Sequence, residues 1–137
     1  MNILLIYLAL NIGLLNLVDE PIDLKDTQIY IVISGASCHE CLLSVNDWVS
    51  DSKIETTAII WYNEGIIKKR EQINYYSEFI SPDEWVFSND LEKLDFVFNL
   101  KYSPNVFVLK NGEIYYFSYS NLFNNELKIE EFKQLIE

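Results

Sequence analysis

The cysteine pair Cys38-His39-Glu40-Cys41 lies between two segments of different periodicity. The apolar, β-branched run over 29–33 precedes it and predicts a buried strand, and the apolar residues after it recur at helical spacing. Two thiols three positions apart at the start of a helix can close a small disulfide ring, and the helix N-terminus stabilises a thiolate there. The chain has no other cysteine, so these two have no other partner within it. Their placement at the start of a helix makes dithiol–disulfide exchange the leading hypothesis.

Composition and charge exclude several other classes of protein. The 137 residues suffice for one domain with a real core. A hydrophobic fraction of 50% with 15% aromatic residues excludes a disordered chain. The formal net charge of −11 argues against a nucleic-acid partner, since phosphates require a basic surface. We interpret the basic cluster at 68–70 as the solvated face of a helix.

The N-terminal segment 3–18 is almost wholly apolar, and Asp19 and Glu20 follow it at once. Its length matches a signal-peptide core and is short for a membrane span of ~20 residues. No Lys or Arg precedes it, and no clear small-residue cleavage site follows, but the run is apolar on all sides rather than on one stripe. We therefore predict an export signal or an uncleaved membrane anchor over 1–18 and a single domain over 19–137. The expected location is periplasmic, or anchored and facing outside the cytoplasm, where disulfides form.

The rest of the chain alternates between strand and helix patterns. The predicted strands cover 28–34, 56–62, 85–87, 106–110 and 113–119, and the predicted helices cover 41–52, 64–79, 90–98 and 126–136. Residues 35–37 are expected to form a tight strand-to-helix turn, and Asn111-Gly112 a two-residue hairpin turn. This order predicts an α/β fold with a central mixed sheet and helices on both faces. Its first two strands should be parallel, through a right-handed crossover.

Two motifs in this order resemble the thioredoxin fold. The first is the C-x-x-C pair at a strand-to-helix junction. The second is Tyr102-Ser103-Pro104, which leads into a strand and hairpin similar to the family's cis-proline strand. The long interval between the motifs, with its extra segment over 85–98, is more like the exported TlpA/ResA-type thioredoxin-like proteins than minimal thioredoxin. The resemblance covers about 28–137 and implies a thioredoxin fold.

The resemblance also implies roles for individual residues. Cys38 would be the exposed nucleophile, and Cys41 would resolve the mixed disulfide that forms on it. A cis Ser103–Pro104 bond would set the N–H and C=O of Ser103 beside Cys38, where they could pair with an extended substrate peptide. The implied partners are cysteine-containing protein substrates or a redox partner protein, and the implied reaction needs no cofactor.

Four neighbouring positions bear on how such a site would work. His39, if protonated, would favour the thiolate, whereas the charge of Glu40 would oppose it, so both are expected to tune the site. Ser37 stands where the family usually has Trp, and Val32 stands where a buried acid is often found. Proton transfer to and from Cys41 would then need water or another group, such as Glu40.

The cysteine pair allows three other interpretations. A non-catalytic thioredoxin-like binding module would use the disulfide only as a structural link, although a short ring gives modest stabilisation. A metal site would draw on Cys38, His39 and Cys41, but adjacent residues rarely converge on one ion and no second cluster supplies a fourth ligand. Covalent haem attachment requires His directly after the second cysteine, where Leu42 stands. We therefore predict no bound metal.

Overall fold

The structure, a computed structural model, describes residues 27–34, 36–61, 68–88 and 102–137. Within these ranges the strands are β1 (Gln28–Ile33), β2 (Ala36–Ser37), β3 (Thr56–Trp61), β4 (Glu84–Ser88), β5 (Tyr102–Ser103), β6 (Asn105–Lys110) and β7 (Glu113–Phe117). The helices are α1 (His39–Ser50), α2 (Lys69–Tyr76), α3 (Tyr119–Asn124) and α4 (Glu126–Leu135). The predicted apolar leader over 1–18 and the predicted helix over 90–98 lie outside the described residues. No helix among the described residues is long and apolar enough to span a membrane.

A five-stranded mixed sheet organises the α/β fold, in the order β4-β3-β1-β6-β7. Strands β1, β3 and β4 are parallel to one another, whereas β6 runs antiparallel to both β1 and β7. Asn111 and Gly112 connect β6 and β7 with φ values of 55° and 76°, the positive values that a tight hairpin turn requires. The predicted mixed sheet, its parallel first pair and the hairpin are therefore confirmed.

The main core lies on one face of this sheet. Ile29, Ile31 and Ile33 alternate along β1 and belong to the same buried cluster as Leu42 and Val45 of α1. On the opposite face of β1, Val32 is buried, whereas Gln28 and Tyr30 are partly buried. Apart from Cys41, the buried side chains of the described helices belong to the cluster described above, so a helical layer on the second face stays a prediction. The core contacts fix α1 against β1 and thereby hold the cysteine pair at the end of the central strand.

Two of the differences between the predicted and the observed elements lie close to the cysteine pair or in β7. Residues 36 and 37 do not form only a turn: they make β2, which pairs in parallel with β5 and forms a second, two-stranded sheet. The strand predicted to reach Tyr119 ends at Phe117, because Ser118 begins a helix. The Ser118 side chain accepts the N–H of Asn121, and the Asn121 side chain accepts the N–H of Ser118. This capping box overrides the strand preference of the aromatic run before it.

Candidate functional site

Cys38 and Cys41 form a disulfide bond, with their Cα atoms 5.1 Å apart. Cys38 is the N-cap residue of α1, in an extended backbone conformation, so its side chain faces the free N–H groups of the first turn. Its Sγ accepts the N–H of Cys41 at 3.2 Å. The same N–H can stabilise a thiolate on Cys38 once the disulfide opens.

The two sulfur-bearing residues differ in exposure. Cys38 is partly exposed, whereas Cys41 is buried, with 8% of its surface accessible. A thiolate from another protein therefore reaches Cys38 more easily than Cys41. This asymmetry agrees with a nucleophilic role for Cys38 and a resolving role for Cys41, which stay predictions.

Ser103 and Pro104 lie directly beside the disulfide. Their peptide bond is cis, and both residues are buried. The backbone N–H of Cys38 donates to the Ser103 carbonyl at 3.4 Å, which connects the start of α1 to β5. The carbonyl thus lies where the sequence analysis expected it, but it already has a partner within the chain. A substrate-binding role for Ser103 and Pro104 stays a prediction.

Ser37 and Ser103, two residues next to the start of α1, are hydrogen-bonded to each other and to Ser34. The Ser37 hydroxyl donates to the Ser34 carbonyl at 2.8 Å, and the Ser37 and Ser103 hydroxyls lie 2.8 Å apart. The Ser103 hydroxyl is also 3.3 Å from the Ser34 carbonyl. Each hydroxyl has one proton, and each can donate either to the Ser34 carbonyl or to the other hydroxyl. Ser37 therefore links β2, β5 and the end of β1.

Tyr119, which was not among the predicted site residues, contacts the disulfide from α3. Its hydroxyl lies 3.8 Å from Cys41 Sγ and is the donor, because a disulfide sulfur carries no proton. The buried Asn105 accepts the N–H of Tyr119 at 2.8 Å and donates to the Tyr102 carbonyl at 2.7 Å. Asn is disfavoured in strands, so Asn105 at the start of an apolar strand was the available signal.

His39 is exposed and packs against residues at and beyond the end of α2. Its ring stacks on Phe79 with a centroid distance of 4.5 Å and meets the edge of Tyr75 at 5.5 Å. The Tyr75 hydroxyl and His39 Nε2 are also hydrogen-bonded. Glu40 is exposed in the first turn of α1. These contacts attach α2 to the first turn of α1, while the expected tuning by His39 and Glu40 stays a prediction.

The described residues contain no group of three or more His, Cys, Asp or Glu side chains placed to hold a metal ion. The sulfurs of Cys38 and Cys41 are bonded to each other in this structure. Val32, six positions before Cys38, is fully buried within β1. The polar groups at the disulfide therefore come from β2, β5 and α3 rather than from this position of β1.

Comparison with protein-family models finds no match for the chain, and a search of curated proteins finds none either. A functional assignment consequently depends on the residues around the disulfide.

Proposed function

We propose that the chain is a thiol–disulfide oxidoreductase that acts on cysteine-containing proteins or on a redox partner protein. The observation that carries this proposal is the Cys38–Cys41 disulfide at the N-terminus of α1, with Cys38 the more exposed residue. A thioredoxin fold of the exported TlpA/ResA type is part of the proposal. Its support is the parallel pair β1 and β3, the cis Ser103–Pro104 bond beside the disulfide, and the hairpin that follows.

The chemistry requires only thiols, disulfides and solvent. In the reducing direction the Cys38 thiolate attacks one sulfur of a substrate disulfide, and the other substrate sulfur leaves as a thiolate with the electron pair. Cys41 then loses its proton to solvent and attacks Cys38 Sγ. The Cys38–Cys41 bond forms as the bond between Cys38 and the substrate breaks, which releases the second substrate thiolate. Substrate oxidation follows the same steps in reverse.

The proposed location is outside the cytoplasm. An intramolecular disulfide persists in oxidising compartments and is rare in the cytoplasm. The apolar segment 3–18 would direct the chain there and would also attach it to the membrane if it is not removed.

A non-catalytic module with a structural disulfide is the second candidate. One observation favours it: the Ser103 carbonyl, which the resemblance assigns to substrate binding, already accepts the N–H of Cys38. The small size of the disulfide ring argues against a purely structural role. Closing a loop with a sequence separation of 3 stabilises a fold by only about 2 kcal/mol. Redox exchange therefore explains the pair better than structural support.

Trapping separates the two candidates. In a Cys41→Ser variant the mixed disulfide on Cys38 cannot be resolved, so substrate proteins should accumulate as covalent adducts that reductant releases. The Cys38→Ser variant is the matched control and should form far fewer adducts, because its remaining cysteine is buried. The purified protein should also turn over insulin or model-peptide disulfides. A reduction potential well below about −300 mV without turnover would refute the enzymatic proposal.

A further inference from the structure

The buried position of Cys41 raises a question about its charge. Exchange requires Cys41 to carry a negative charge, either as it attacks Cys38 or as it leaves it. Burial disfavours a thiolate unless a hydrogen bond or a positive charge compensates. The position that the resemblance gives to a buried acid holds Val32 here, which offers Cys41 no polar side chain. A hydrogen-bond donor from another element would supply this compensation.

We propose that Tyr119 is a catalytic residue whose hydroxyl donates a hydrogen bond to the Cys41 thiolate. The proposal rests on the proposed function, since it assigns a role within the exchange reaction. The hydroxyl already lies 3.8 Å from Cys41 Sγ in the oxidised protein. The donor is thus in place before charge develops on the sulfur.

Several contacts hold the Tyr119 side chain in this position. Tyr119 is the first residue of α3, whose start is fixed by the capping box of Ser118. Its N–H is bound by the buried Asn105, which also binds the backbone of β5. Its ring packs against Phe123 with a centroid distance of 5.3 Å and lies 6.4 Å from the ring of Tyr102. Both the backbone and the ring of Tyr119 are therefore restrained.

Tyr119 keeps its own proton throughout the reaction. In the reducing direction the Cys41 thiol gives its proton to solvent, and the resulting thiolate accepts the hydrogen bond from Tyr119. Cys41 Sγ then bonds to Cys38 Sγ, and the electron pair of the broken bond leaves with the substrate sulfur. In the oxidising direction a substrate thiolate attacks Cys38 Sγ, and Cys41 leaves as a thiolate stabilised by Tyr119.

The decisive measurement is the titration of Cys41 without any substrate. A Cys38→Ser background leaves Cys41 as the single thiol, and ¹³Cβ labelling of cysteine reports its ionisation by NMR. Adding Tyr119→Phe removes the hydroxyl but keeps the ring, and should raise the pH midpoint of this titration by about one unit, a tenfold change in equilibrium. Tyr115→Phe is the matched control and should leave the midpoint unchanged, because the Tyr115 hydroxyl donates to Glu113 instead.

The outcomes for Tyr119 and for the enzymatic proposal can be distinguished. An unchanged midpoint in a folded Tyr119→Phe variant overturns the role of Tyr119, even where the parent protein turns over disulfides. Absence of turnover in the parent protein overturns the proposed function, whatever the titration shows. A second measurement needs no change at Tyr119: its ¹³Cζ chemical shift should change at the pH where Cys41 ionises in the Cys38→Ser protein. A ¹³Cζ shift that does not change at this pH would also refute the proposal.

Discussion

Opening the disulfide should weaken the fold only modestly. The bond closes a loop with a sequence separation of 3, so it removes little conformational freedom from the unfolded chain. The loop-entropy relation gives about 2 kcal/mol for a ring of this size at 25 °C. Domains of this kind unfold with total free energies of about 5–15 kcal/mol, so the reduced protein should remain folded.

The contacts of α1 support the same expectation. Leu42 and Val45 are fully buried against the sheet, and burying each side chain stabilises the fold by about 1.5–3 kcal/mol. In a Cys38→Ser variant the serine hydroxyl can still cap the helix by accepting the N–H of Cys41. The apolar face of α1 and its cap thus persist without the disulfide. Leu42→Ala, in contrast, leaves a cavity and should cost about 2–5 kcal/mol.

Urea unfolding followed by tryptophan fluorescence tests this ranking. The oxidised, reduced, Cys38→Ser and Leu42→Ala proteins are compared at one pH, with the reduced form kept in dithiothreitol. Reduction and Cys38→Ser should each lower the free energy of unfolding by about 2 kcal/mol or less, and Leu42→Ala by more. A reduced protein that is unfolded without urea, or a loss above about 4 kcal/mol, would refute this reasoning and identify the disulfide as a structural requirement.

Two further predictions concern the contact between Ser37 and Ser103 and the contact between Tyr115 and Glu113 in β7. The Ser37 and Ser103 hydroxyls lie 2.8 Å apart, so a double-mutant cycle of Ser37→Ala and Ser103→Ala should give a coupling free energy of about 1 kcal/mol in urea unfolding. A coupling free energy near zero would contradict a hydrogen bond between the two hydroxyls. The hydrogen bond from Tyr115 to the Glu113 carboxylate raises the pKa of Tyr115 above its ordinary value of 10.0, so Glu113→Gln should lower it in an absorbance titration. A pKa that is raised in the folded protein stabilises the fold below pH 10, and this contribution to the free energy of unfolding is lost as the pH rises through the raised pKa of Tyr115. Glu113→Gln should make this loss smaller.

The strands of the main sheet were predictable because their sequence signals are local. After Gln28 in β1 and the two threonines that begin β3, both strands are apolar and rich in β-branched residues, as is typical of central strands. The turn at Asn111 and Gly112 was equally clear, since these residue types tolerate the positive φ values of a tight hairpin. In each of these segments the local preference and the tertiary environment favour the same conformation.

The elements around the disulfide carry weaker signals. β2 and β5 have two residues each, too few to show any periodicity, and their pairing depends on contacts between Ser37 and Ser103 across the fold. The start of α3 was not predicted from the sequence for a different reason. The aromatic residues over 115–117 favour a strand, and the capping box uses Asn121 in place of the usual Glu or Gln.

The surroundings of Cys41 were only partly predictable. Glu40 could be considered from the sequence because it is next to Cys41 along the chain, and its role in proton transfer stays a prediction. In the structure Tyr119 supplies the polar contact from 78 positions away. Its position depends on the buried Asn105, which follows the cis proline and binds the start of α3. The polar residue at the start of an apolar strand was thus a sequence signal for these contacts, since a buried amide requires partners and those partners lie at the site.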